Sequence, residues 1–148
     1  MKKIIVASLI AGLFASASAL AAGPTTPTPI TLTNGFTPLR AAAATNINLA
    51  EQFAITAIQS RAGFVKNNFE STLSANVAAG VSDLAATNRF GAVAGSNKGY
   101  TVFTGSSVGG SVSQCGPQVD KGITNLAATL AVTATLNLAN ANGCGIAP

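Results

Sequence analysis

Residues 126–138 read LAATLAVTATLNL. The even positions carry Leu126, Ala128, Leu130, Val132, Ala134, Leu136 and Leu138; the odd ones carry Ala, Thr and, at 137, Asn. Aliphatic residues alternating with small or hydroxylated ones describe a β-strand with one face on a core and the other in water. At ~3.3 Å per residue the run would reach roughly 40 Å, longer than a typical strand. Cys115 and Cys144 flank it. A strand of this length needs a sheet to pair with and a layer to cover its aliphatic face.

The first residues have another purpose. Lys2 and Lys3 precede an apolar run over 4–14 and a small-residue stretch over 15–22. The apolar run is too short to span a bilayer comfortably. Residues 1–21 therefore read as a secretory signal peptide, with Ala19-Leu20-Ala21 as the cleavage signal and Ala17-Ser18-Ala19 as a competing one. No stable membrane span is expected after its removal. The expected destination is the periplasm, the cell surface or the extracellular space.

Residues 22–44 form a Pro/Thr-rich N-terminal segment. GPTTPTP at 23–29 favours extended or polyproline backbone and prevents a helix. Ile30 to Thr33 alternate briefly, and Asn34-Gly35 is a turn signal, so a short edge strand is expected here, in its own sheet or added to that of a neighbouring subunit. Residues 45–148 are expected to make a single domain.

The helical signal lies over 48–84. Asn48 and Glu51 have capping-box spacing. Leu49 and Phe53 recur at helical spacing, and Ile58, Ala62, Val65, Phe69, Leu73, Val77, Val81 and Leu84 follow at steps of three or four. Gly63 would end a first helix or kink a single long one. The expected fold class is therefore α+β, with an N-terminal helix or helix pair packed on an antiparallel sheet. Residues 100–104 are a short strand candidate. Residues 108–112 are a second, weakened by Gly109 and Gly110. Gly116-Pro117 marks a turn.

The residue inventory narrows the chemistry. There is no histidine, which removes Ser-His-Asp and Cys-His arrangements and His-based metal sites. The four acids, Glu51, Glu70, Asp83 and Asp120, show no local pairing. The glycine cluster at 105–111 lacks the Gly-Lys-Ser/Thr ending of a phosphate-binding loop. No catalytic, metal or cofactor residues are expected. Outside the signal peptide six basic side chains face these four acids, a net charge of +2, and the basic residues are scattered, so no nucleic-acid footprint forms. The surface is solved with Ala, Thr, Ser, Asn and Gly, as in exported proteins that pack against copies of themselves and desolvate few charges in doing so.

Cys115 and Cys144 are the most specific feature. Export with two cysteines makes one structural disulfide the natural reading, with an intermolecular bond or free thiols as alternatives. Closing this loop would stabilise the fold by about 3–4 kcal/mol on the chain-entropy model.

A helix early in the mature chain, a short-stranded sheet and a disulfide closing the C-terminal part resemble the globular head of type IV pilins. Gly35-Phe36-Thr37-Pro38-Leu39-Arg40 is similar to the Gly-Phe-Thr prepilin processing site, although Pro38 interrupts it, Arg40 stands in the place of the family's Glu, and the family's long apolar anchoring helix is missing. The resemblance implies a pilin-like head or a soluble partner of a filament.

The expected function is an exported, non-enzymatic structural or interaction protein, a pilin-like subunit or accessory of a cell-surface filament. Its partner would be itself or another surface or filament protein. The alternative is a small periplasmic or secreted ligand-binding module, with a groove between helix and sheet lined by Phe53, Phe69, Tyr100 and Phe103. A third reading is an enzyme using Ser or Thr with Lys98 or Lys121 as base.

Overall fold

The computed structural model describes residues 26–41, 44–99, 101–117 and 135–146. The expected signal peptide, Tyr100, Asp120, Lys121 and residues 126–134 of the long strand reading lie outside them.

The described fold is two β-sheets, and the expected α+β class is overturned. The strands are β1 (Thr28–Thr31), β2 (Gly35–Arg40), β3 (Glu51–Thr56), β4 (Phe69–Leu73), β5 (Val77–Leu84), β6 (Arg89–Ser96), β7 (Val102–Ser106) and β8 (Ser113–Gln114). One sheet has the order β1-β3-β4, with β1 parallel and β4 antiparallel to β3. The other is antiparallel, in the order β2-β5-β6-β7-β8. The helical element among the described residues is one 3-10 turn, Gln59–Arg61.

The expected helix over 48–84 is instead β3, the 3-10 turn, β4 and β5. Its apolar residues misled for a definite reason. The steps from Phe69 to Leu73, Val77 and Val81 are each of four residues, and four is a multiple of two as well as close to one helical turn. The same spacing therefore fits strands. In β3 the period of two is explicit: Phe53 and Ile55 are buried, while Gln52 and Thr56 are exposed. Asn76 and Asn88 take left-handed backbone (φ 61° and 51°) in the turns before and after β5, which is turn chemistry rather than helix continuation. Gly63 caps no helix; it lies against the Asp83 carboxylate. The helix on which the pilin-like layout rests is thus not formed.

The core lies between the sheets. Leu32, Phe53, Ile55 and Val81 are buried together, and Ile30, Leu39, Leu73, Phe90 and Ala92 pack against them. Arg40, also buried, ties the two sheets at one end. Its guanidinium donates to the carbonyls of Val77 (2.8 Å), Leu49 (2.8 Å) and Ser74. Nη1 lies 3.9 Å from Glu51 Oε2, and Glu51 accepts from Thr28 Oγ1 at 2.8 Å. Burial lowers the Arg40 pKa, and the Glu51 carboxylate opposes that shift.

The edge strand expected over residues 30–33 exists in part as β1, and the strand candidate near 100–104 is β7, displaced toward the C-terminus. Residues 108–112 form the bend between β7 and β8 rather than a strand, with Gly109 and Gly110 at positive φ. The described end of the long strand reading, 135–138, makes a single bridge from Leu136 to Cys144 and then turns.

Candidate functional site

The strand registers place Val81 of β5, Ala92 of β6 and Gly105 of β7 side by side, with Ala94 opposite Phe103 in the next row on the same face. This face meets the core at Val81, Phe90 and Ala92. Farther along the sheet it opens: Phe103 is 47% exposed. Phe90, Ala92, Ala94, Phe103 and Gly105 floor a groove of about 310 Å³, and Gly110 and Val112 from the β7–β8 bend wall it. Val112 is 74% exposed. The lining is mostly apolar, with Thr104 and Ser106 as its hydroxyl-bearing members, so the groove offers area for burial and few directed polar contacts.

Two glycine features shape it. A Cβ at Gly105 would sit 3.0 Å from Val112 Cγ2, so the missing side chain is part of the groove's depth. Gly63 allows the loop between β3 and β4 to approach β5: a Cβ there would lie 2.3 Å from Asp83 Oδ2. Asp83, with no exposed surface, accepts the N–H groups of Phe64 (2.7 Å) and Val65 (3.2 Å). This anchors Phe64, whose ring stacks on Phe90 with centroids 6.2 Å apart. Lys66 Nζ closes the same loop by donating to the carbonyls of Arg61 and Gly63. Asp83 therefore acts on the groove at one remove, by holding Phe64 against one of its lining rings.

The opposite face of the five-stranded sheet is covered at β6 by the C-terminal segment. A Cβ at Gly91 would collide with Leu138 Cδ2, and Leu136 lies alongside. Hydrogen bonds from Asn137 to Gly143 and from Gly145 to Thr135, both 2.9 Å, fold that segment back on itself. The disulfide Cys115–Cys144, with Cα atoms 5.3 Å apart, fastens it to the end of β8. A disulfide is consistent with an oxidising, exported location.

The residues expected to line a helix–sheet groove are not brought together. Phe53 is sealed in the core, and Phe69 is exposed on β4. Phe103 does line a groove, but one formed by sheet and loop. Lys98 is exposed in the turn after β6. Among the described residues no three His, Cys, Asp or Glu side chains converge as metal ligands, and no helix is long and apolar enough to cross a membrane. Sequence reasoning missed Asp83, Phe64, Gly105 and Val112. None has a local motif; the groove arises from strand register and from the placement of a loop.

Comparison with known proteins returned no matching family model, no matching curated protein and no matching solved structure.

Proposed function

We propose that the chain is an exported, non-enzymatic structural or interaction protein that engages a partner through the apolar groove on β6 and β7. The observation behind this reading is that the core-facing side of the five-stranded sheet continues past its cover into an open apolar surface, where Phe103 is 47% and Val112 74% exposed. Apolar surface of this kind gains about 25 cal/mol per Å² when a partner covers it. The scarcity of charges suits a surface that is to be covered. A partner among surface or filament proteins, or another copy, fits an oxidised, exported chain.

A photo-reactive residue at Val112, introduced in the exported protein, tests this. A discrete cross-linked adduct should form in the cell envelope, and Gly105→Leu, which fills the groove, should abolish it. No adduct, or one indifferent to Gly105→Leu, would remove the groove as the working surface.

The second reading, a small-ligand module, draws on the groove's size, which falls at the lower end of the roughly 300–1,000 Å³ of ligand pockets. An apolar fluorophore binding at one site per chain, and displaced in Gly105→Leu, would favour it over a protein partner.

A further inference from the structure

The two sheets present four outer edges among the described residues, and three are guarded. On β1 the Leu32 N–H donates to Thr56 O, so the strand's alternation turns Pro29 and Thr31 toward the open side. Pro29 has no N–H to offer there. β2 carries Pro38 and a register shift between Pro38 and Arg40. β8 is two residues long, and Gly143 packs against Gly105 and Ser106 of the adjacent β7. These are devices that blunt a sheet edge.

Among the described residues β4 has none of these, and its one charged side chain is Glu70. Its sequence FESTL contains no Pro or Gly, its register with β3 is unbroken over all five residues, and Phe69, Glu70 and Thr72 are exposed. Glu51, Phe53 and Ile55 of β3 stand opposite Leu73, Ser71 and Phe69, so these last three share the core side of the sheet. Glu70 and Thr72 lie on the outer side.

We propose that β4 pairs antiparallel with β4 of a second copy, centred on Ser71, joining the two three-stranded sheets into one of six strands. The sequence is self-complementary in this register. Phe69 faces Leu73 of the second copy on the core side, and Glu70 faces its Thr72 on the outer side. A one-residue slip would oppose the core side of one copy to the outer side of the other. A slip that centres the pair on Glu70 sets two carboxylates directly opposite, which destabilises a ladder. Centring on Thr72 leaves Phe69 unmatched. The pairing also covers Phe69, which is 40% exposed in the single chain. The interface is two-fold and closes on itself. It stands on the β4 edge alone and does not depend on the groove of β6 and β7.

Sedimentation of the oxidised, exported protein, up to millimolar concentration, tests the pairing. A monomer–dimer equilibrium is expected. Thr72→Lys sets an ammonium opposite Glu70 of the second copy at two symmetric positions and should tighten the dimer about fivefold. Thr72→Glu sets carboxylates there and should loosen it by a similar factor. Thr72 is exposed on the outer side, so both variants should melt like the parent monomer. A monomer at every concentration would overturn the proposal. So would a dimer that neither variant shifts, because its contact would then lie on another surface.

Discussion

Thr104 is 1% exposed, and its Oγ1 has no hydrogen-bond partner among the described residues. A buried hydroxyl without a partner keeps its desolvation cost and gains nothing in return. Valine has nearly the same shape and lacks that oxygen. Thr104→Val should therefore stabilise the protein by about 1 kcal/mol, read as a higher urea midpoint at unchanged slope. A lower midpoint would mean that the hydroxyl is satisfied in solution. Arg40 is the opposite case. Its guanidinium is equally hidden, but three carbonyls and Glu51 surround it. A buried charge persists when its donors are met, and here meeting them joins β2, β3 and β5.

β5 and the loop before β4 explain most of the difference between the helical expectation and the strands that form. Ala78, Ala79, Gly80, Val81, Ser82 and Asp83 are all buried, because both faces of the strand are covered. A strand hidden on both sides loses the alternation that marks a half-buried one, and its alanines are the best helix formers. The loop from β3 to β4 closes on this strand through Gly63, Phe64 and Asp83. Gly63→Ala should cost about 1–3 kcal/mol through overpacking, and Asp83→Ala about 2–4 kcal/mol by stranding two N–H donors. The two should not add. Removing the carboxylate vacates the space that Cβ at 63 needs, so the double variant should be less destabilised than the sum of the singles. Chemical denaturation of the four proteins measures this, and strict additivity would separate Gly63 from Asp83. The Phe64 ring shifts in NMR spectra should report its release from Phe90 in both Asp83 variants.

At the scale of the whole molecule, the disulfide links the last strand of the five-stranded sheet to the segment that covers Gly91. Its half-cystines are 29 positions apart. Replacing both by serine frees that loop in the unfolded chain and should lower stability by about 3–4 kcal/mol, a large part of an ordinary domain's total. Parallel melts of the oxidised parent and the double-serine variant measure it; equal midpoints would mean that the segment is held by Leu136 and Leu138 alone. The sequence by itself determined the cysteine pair, because a count of two allows one intramolecular pairing. It also determined a short strand near residue 30 and a strand near residue 102, since short alternation bounded by turn chemistry is a local signal. Tertiary structure decided between helix and strand over 48–84, because steps of four residues satisfy both periods and the burial of β5 on two faces hides the alternation that would have separated them. It also decided the groove and the edge of β4, which is open among the described residues. Both are made by what neighbouring elements leave uncovered, and no local stretch of sequence encodes that.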